Sequence, residues 1–246
     1  MHKYQILIEY VGTYFIGWQI QSKGKSIQKL IQTKLSKLLK EKINLIGSGR
    51  TDAGVHAIEQ SAHFECKKKI ENLEKLTSSL NFFLNNQLIS IINIKKKKSN
   101  FHARFSAKAR IYKYIIYNRV SRPSIYENRG WHIKKNLDLK LMKKGTKKLL
   151  GTNDFSTFRS SSCNAKSPIR TIEKINIKKY KNTIIIHFKS KSFLQKQVRS
   201  MVGCLKYLGE KKWSLRKFNK VFKSKKRTLC APPAPAHGLF LEKIIY

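Results

Sequence analysis

An aspartate between glycines is the residue of this chain best suited to chemistry. Asp52 stands in the segment Gly49-Arg50-Thr51-Asp52-Ala53-Gly54, where the flanking glycines let the backbone bend sharply and approach a ligand closely. An ionised carboxylate is a nucleophile for a sugar carbon or an electrophilic ring, and the nearby Arg50 favours ionisation. From spacing alone, an Asx-type turn with a local salt bridge explains the same residues more simply.

The sequence lacks the motifs of the common cofactor and metal sites. A dinucleotide fingerprint would need a glycine where Asp52 stands, and a P-loop would need a Gly-Lys-Ser/Thr that is absent. The cysteines have long, irregular gaps and no Cys-x-x-Cys pair, so we expect reduced thiols rather than a zinc site or a disulfide framework. These cysteines are Cys66, Cys163, Cys204 and Cys230.

Charge is the main compositional signal of the chain. It has 53 Lys+Arg against 13 Asp+Glu, a formal charge of +40, which is typical of a protein that binds nucleic acid. The alternative is a lysine-rich solvated surface produced by A/T-rich codons. No apolar run is long enough for a membrane span, no free basic amphipathic helix is evident, and no leader-like segment opens the chain. We therefore expect a cytoplasmic protein with no membrane partner.

The elements that must position Asp52 follow from hydrophobic periodicity. Ser26 is a good N-cap for an amphipathic helix over 27–40, and the glycine-rich segment precedes a predicted strand at 57–65. After the lysine run 95–98 the order of elements partly recurs, which predicts an α+β fold of two domains with helices packed on antiparallel sheets. The other predicted elements are strands at 3–10, 43–46, 88–94, 108–117, 169–179, 183–189 and 239–245, and helices at 71–84, 137–150 (ended by Gly151), 194–208 and 214–223.

Several ordered segments resemble the tRNA pseudouridine synthase A family. The segment around Asp52 continues as Val55-His56 and is similar to the active-site segment of that family. The resemblance runs from about residue 3 to the C-terminus, and it is specific because the segments occur together and in order. The other matching segments are 10–21, 101–107, 109–118, 154–159, 192–194, 198–199, 201–203 and 231–239. The chain departs from the usual family residues at Val11, Asn153, Gln197 and Ser200.

The resemblance implies an isomerase that acts on tRNA. Such enzymes convert uridine to pseudouridine in the anticodon stem-loop, at tRNA positions 38–40. The C1′–N1 bond breaks, the uracil turns over and a C1′–C5 bond forms, so the reaction needs no cofactor and no metal. The target base must leave its stack, which costs a few kcal/mol. By the family pattern Asp52 is the nucleophile, and attack at C1′ and attack at uracil C6 are both left open.

The resemblance also assigns roles to other residues. Tyr112 is expected to stack on the flipped uracil and to assist proton removal, and Arg199 is expected to pair with Asp52 across a cleft. Arg50 would help to hold the extruded nucleotide, and Leu239 would form an apolar wall beside the base. The expected phosphate contacts are Arg104, Arg110 and Arg159. For the histidines, His56, His63 and His102, we expect structural or RNA-facing roles.

The family fold comprises two RNA-recognition-like α/β domains, with antiparallel sheets side by side and a central active-site cleft. We place the domains at 1–104, which carries the Asp52 loop, and 105–246, which carries Tyr112, Arg199 and Leu239. The family acts as a homodimer on tRNA. The alternative is a catalytically silent RNA-binding or ribosome-associated protein of the same fold. A DNA-binding protein is disfavoured because helix-turn-helix and zinc-finger patterns are absent.

Overall fold

A computed structural model describes residues 1–246 and shows a mixed α/β fold, with mostly antiparallel strand pairing and five α-helices. The chain divides into two compact units, Met1–Lys108 with Phe240–Tyr246, and Ala109–Leu239. The sequence-based division between 104 and 105 assigned the last strand to the second domain. From Phe240 onward that strand lies instead in the first unit, because Phe240 pairs with His56 and the Lys108 amide donates to the Ile245 carbonyl at 2.7 Å.

The first unit is a sheet in the order β4-β1-β3-β10, with the short β2 also paired to β3. All pairs are antiparallel except β3 with β10. Helix α1 begins where Ser26 accepts a hydrogen bond from the Lys29 amide, and α2 begins in the same way at Asn72. The elements are β1 (His2–Tyr10), α1 (Ile27–Leu39), β2 (Ile46–Gly47), β3 (His56–Cys66), α2 (Leu73–Leu84), β4 (Ile89–Lys97) and β10 (Leu239–Ile245).

The second unit is a sheet in the order β5-β9-β8-β7, and the short β6 pairs in parallel with β5. Strands β8 and β9 form a hairpin, which turns at Lys181 with a φ of +49°. Three helices accompany this sheet, and the buried face of α4 contributes Met201, Val202 and Leu205 to the core. The elements are β5 (Ala109–Tyr117), β6 (Trp131–His132), α3 (Leu139–Lys147), β7 (Gly151–Asp154), β8 (Ile169–Tyr180), β9 (Thr183–Ser190), α4 (Gln197–Gly209) and α5 (Leu215–Lys223).

Helix α3 is shorter than the sequence predicts. The prediction of a helix over 137–150 was wrong at both ends, because the Asp138 side chain accepts from the Leu141 amide and fixes the N-terminus there. The helix ends at Lys147, and Gly151, which we expected to terminate it, begins β7 with a φ of +82°. None of the five helices has the length and apolar character that a bilayer crossing needs.

Candidate active site

Asp52 lies on a tight turn between β2 and β3. The Val55 amide donates to the Asp52 carbonyl at 3.1 Å, and Gly54 adopts a φ of +77°, which disfavours any residue with a Cβ. Thr51 and Val55 are buried, whereas Asp52 is partly exposed. The turn therefore holds its backbone against the unit and leaves Asp52 partly exposed. Gly49, in contrast, does not have a positive φ.

A buried glutamine fixes the chain that leads into this turn. The Gln60 amide group accepts from the Ser48 hydroxyl at 2.8 Å and donates to the Gly49 carbonyl at 3.0 Å. The Ser48 amide also donates to the Ser61 carbonyl at 2.8 Å. Gln60 is completely buried, so each of these bonds satisfies a group that water does not reach. The entry to the turn is consequently rigid.

The N-terminal loop packs against the other side of the turn. The Trp18 amide donates to the Thr51 carbonyl at 3.1 Å, and the Tyr10 and Thr51 hydroxyls lie 2.8 Å apart. A Cβ on Gly17 would lie 2.5 Å from the Thr51 carbonyl oxygen, and one on Gly12 would lie 1.9 Å from the Val55 carbonyl oxygen. These two glycines are therefore needed for the close approach of two backbones, which fixes the position of the Asp52 turn.

Arg50 does not stabilise Asp52 in the way that a local salt bridge would. Its side chain is exposed, and the ion pairs of the structure involve other cations. The Arg50–Asp52 salt bridge that the simpler interpretation from spacing includes is therefore not formed. An exposed guanidinium next to the turn remains available to a substrate.

The three histidines are hydrogen-bond acceptors inside the first unit. The Nδ1 of His56 accepts from the Gly12 amide at 3.1 Å, and the Nδ1 of His63 accepts from the Ala103 amide at 3.1 Å. The Nδ1 of His102 lies 3.1 Å from the Arg104 amide that donates to it. A ring nitrogen accepts only when it carries no proton, so these contacts require His56, His63 and His102 to be unprotonated at Nδ1.

His63 makes the stability of the protein depend on pH. Burial, followed by the nearby His102 and Lys3, lowers the pKa of His63 to about 4, and Glu65 opposes this shift. Because the folded pKa lies below the ordinary value of 6.5, the stabilisation is complete above that value. The full shift corresponds to about 3 kcal/mol of unfolding free energy, and because solvent screens part of it we expect about 2 kcal/mol to be lost as the pH falls from 6.5 to 4, where the unfolded chain takes up the proton first.

Urea unfolding at a series of pH values measures this loss. The His63→Asn variant keeps a hydrogen-bond acceptor without a titrating ring, and its stability should fall less over this pH range than that of the parent. His2→Asn, at the start of β1, serves as the control and should follow the parent. Equal pH dependence in the His63→Asn variant and the parent would show that His63 does not contribute.

In the second unit, Arg199 lies on α4 and is tied to the proline-rich loop that precedes β10. Its Nε donates to the Ala234 carbonyl at 2.7 Å, and the Ala234 amide donates to the Arg199 carbonyl at 2.9 Å. The buried Tyr114 hydroxyl donates to the Pro235 carbonyl at 2.9 Å, and burial raises the pKa of Tyr114 well above its usual value. These contacts give the guanidinium of Arg199 a fixed direction.

Tyr112, in the middle of β5, and Leu239, the first residue of β10, are both buried. Tyr112 lies on β5 opposite Phe188, and its ring meets that of Phe193 edge to face, with centroids 5.3 Å apart. Phe193 precedes α4, so the second unit brings the predicted stacking residue close to the start of the helix that carries Arg199. Leu239 follows the proline-rich loop.

The three arginines that we expected to contact phosphate have different surroundings. Arg104 is exposed. Arg110 is buried and donates to the Lys191 carbonyl. Arg159 donates to the carbonyls of Cys163 and Ala165, at 2.6 and 2.7 Å, and thereby organises the loop after β7. Their role as phosphate contacts stays a prediction, to which the exposed Arg104 is the best suited.

Sequence reasoning did not identify the residues that hold the Asp52 turn. Gln60, Tyr10 and Trp18 bind its backbone or its neighbours, and none of them was expected to do so. One signal was available for Gln60: in a strand with period two it falls on the same face as Ala62 and Phe64, where a polar residue calls for buried partners.

Comparison with known proteins gives a consistent result over the whole chain. The sequence profile of the family described as tRNA pseudouridine synthase matches residues 6–106 and 146–246. A tRNA pseudouridine synthase A of Pelagibacter ubique (strain HTCC1062) is 71% identical over 246 residues, which is 100% of both chains.

More distant relatives carry the same name. A tRNA pseudouridine synthase A of Parvibaculum lavamentivorans is 37% identical over 100% of both chains. One of Neorickettsia sennetsu is 39% identical over 244 residues, which is 99% of this chain and 100% of that protein. The profile match and these full-length relatives lead to one conclusion, that the chain belongs to the tRNA pseudouridine synthase family.

Proposed function

We propose that this protein isomerises uridine to pseudouridine in the anticodon stem-loop of tRNA, with Asp52 as the nucleophile. The observation that carries the proposal is that Asp52 is partly exposed on a turn whose neighbours, Thr51 and Val55, are buried. A carboxylate presented in this way on a chain of charge +40 repels phosphate and has no use in a simple RNA-binding surface. It is useful where a nucleophile must meet a sugar carbon or the uracil ring.

The remaining roles follow the family pattern. Tyr112 stacks on the extruded uracil and assists removal of the C5 proton, and Leu239 supplies an apolar surface for the base. Arg50, which is exposed, helps to hold the nucleotide backbone. The fixed direction of the Arg199 guanidinium suits the counter-charge that the family pattern assigns to it, and its pairing with Asp52 stays a prediction.

The organisation and assembly of the protein are part of the same proposal. We propose that the two compact units are the RNA-recognition-like domains of the family, since each combines a mostly antiparallel sheet with helices. The homodimer and the cytoplasmic location implied by the family resemblance and by a tRNA substrate are also proposals. Light scattering of the purified protein measures its mass in solution and would contradict the homodimer if it gave 28.7 kDa at micromolar concentration.

Mapping of pseudouridine in cellular tRNA tests the proposed function. We expect tRNA from cells that lack this protein to lose pseudouridine from the anticodon arm, and we expect the parent gene to restore it. Restoration should fail with an Asp52→Ala variant that accumulates to the same level. The proposal would be contradicted if cells that lack this protein, and that have no other enzyme for these positions, kept pseudouridine in the anticodon arm.

The high positive charge predicts a strong dependence of tRNA binding on salt. If six or more phosphates are neutralised, the logarithm of the association constant should fall with the logarithm of salt concentration with a slope of about −5 or steeper. Filter binding between 50 and 200 mM salt measures this slope. A slope near zero would show that most of the lysine excess is solvated surface and does not contact RNA.

A further inference from the structure

An aromatic ring points into solvent from a short turn in the first unit. Phe105 is 75% exposed, although burial of such a ring is favourable by about 2 kcal/mol. On one side the His102 ring lies 4.4 Å away, tilted by 34°, and the Arg104 guanidinium lies 5.5 Å from the ring centroid. Most of this apolar side chain is thus exposed to solvent next to a cation.

The turn that carries Phe105 is fixed by hydrogen bonds to its own residues. The Nδ1 of His102 accepts from the amides of Arg104 and Phe105, at 3.1 and 3.3 Å. The Ser106 amide donates to the His102 carbonyl at 2.9 Å, and the His102 amide donates to the Ser106 hydroxyl at 3.0 Å. These local hydrogen bonds hold the backbone around Phe105 in one conformation.

The same turn is anchored to the core of the unit. Ala103 is buried, and its amide donates to His63 Nδ1 at 3.1 Å. The Tyr246 hydroxyl lies within hydrogen-bonding distance of the Ala103 carbonyl, at 2.9 Å, and of the Ser61 hydroxyl, at 2.7 Å. An exposed ring on an anchored backbone loses little conformational entropy when a ligand covers it. Phe105 is consequently prepared for contact, unlike a ring on a mobile loop.

The surroundings of Phe105 indicate the chemistry of its ligand. Arg104 and Lys108 are exposed and lie near Phe105 in the chain, and the Lys97 amine lies 5.1 Å from the ring of Phe101, four residues before it. A protein partner that used this position would need a larger apolar patch than a single ring between cations. An aromatic ring beside cations suits an unpaired nucleobase, which stacks on the ring while its phosphates meet the positive charges.

We propose that Phe105, backed by His102 and flanked by Arg104, is a stacking site for an unpaired base of the RNA substrate. The proposal rests on the proposed function for the identity of that RNA, a tRNA, and assigns Phe105 a positioning role outside the chemistry. Such a site would hold the RNA in register while the target uridine is modified. The site would raise the affinity for the bound tRNA and for the transition state equally.

Substitutions at Phe105 test the stacking site by its effect on tRNA affinity. Stacking of one base predicts a loss of about 5- to 100-fold for Phe105→Ala. Phe105→Leu keeps apolar area without a π-face and should be nearly as weak, whereas Phe105→Trp should restore affinity. Phe82→Ala is the matched control, because Phe82 is 80% exposed on α2 of the same unit, and it should bind as the parent does.

A second comparison separates stacking from other causes. The loss should be seen with tRNA and with a hairpin that contains a loop, and it should disappear with a fully paired RNA duplex of the same length. In turnover assays KM should rise with kcat unchanged. Unchanged tRNA affinity in Phe105→Ala, parental affinity in Phe105→Leu, or an equal loss on the duplex would overturn the proposal.

The same samples distinguish this inference from the proposed function. If the parent protein forms pseudouridine and Phe105→Ala binds tRNA as tightly as the parent, the stacking site alone is wrong. If the parent forms no pseudouridine but its affinity for RNA loops depends on the ring at position 105, the stacking site stands and the proposed function is wrong. Melting temperatures of all variants, measured alongside, confirm that each protein is folded.

Discussion

Replacing Asp52 with asparagine is expected to lower the rate of pseudouridine formation by about 10⁴-fold or more, while tRNA affinity stays within a few-fold of the parent. Loss of a nucleophile removes a step that no neighbouring group can supply. The substitution preserves shape, and the turn is held by backbone contacts of Thr51, Val55 and the Asp52 carbonyl and by the Thr51 hydroxyl, so folding should not change. Single-turnover kinetics and filter binding measure the two quantities separately.

Two further variants make this result specific. Asp52→Ala removes any activity that could return through deamidation of the asparagine. Glu59→Gln neutralises another partly exposed carboxylate of the same unit, on β3, and should keep nearly full activity. Parental activity in both Asp52 variants would exclude the nucleophile. It would instead favour the alternative, in which the protein binds RNA and any pseudouridine comes from another enzyme.

Replacing Gly17 with alanine is expected to destabilise the protein by about 2–4 kcal/mol and to reduce kcat/KM by about 100-fold. Gly17 has a φ of +110°, and an added Cβ would lie 2.5 Å from the Thr51 carbonyl oxygen and 3.2 Å from the Ala53 amide nitrogen. The backbone strain and the overpacking each contribute to the lost stability. Relief of the clash moves the Asp52 turn, and a shift of about 1 Å is enough for a 100-fold loss of activity.

Gly151→Ala separates these two contributions. Gly151 also has a positive φ, +82°, but no atom lies within 4 Å of the position that a Cβ would take. We expect this control to cost about 1 kcal/mol from backbone conformation alone, with no change in activity. Urea unfolding and steady-state kinetics of both variants give the comparison. If Gly17→Ala were as mild as Gly151→Ala, the close approach of the two loops would not position Asp52.

Local sequence patterns predicted most elements of the fold. Ser26 and the apolar residues that follow it specify α1, since both the cap and the buried stripe lie within one short segment. The position of β10 was not predictable in this way. Its pairing of Phe240 with His56 joins residues far apart in the chain, and no periodicity records which strands become neighbours.

In the candidate site too, contacts between residues distant in the sequence could not be predicted. Type and spacing of residues singled out Asp52, and the turn at Gly54 agrees with that choice. They did not reveal that Gly17 supports the turn through a close backbone contact or that Arg159 binds carbonyls of its own loop. In a chain with 53 Lys+Arg, the sequence does not distinguish an arginine that contacts phosphate from one that binds groups of its own chain.

Release of tritium from labelled tRNA tests the central claim most directly. Formation of the C1′–C5 bond expels the hydrogen at C5, so a tRNA that carries tritium at uridine C5 should lose one label to water for each pseudouridine formed. We predict that the purified protein releases this label from the anticodon arm without any added cofactor, in step with nucleoside conversion. Tight binding of the tRNA with no release of label from any uridine would contradict the account.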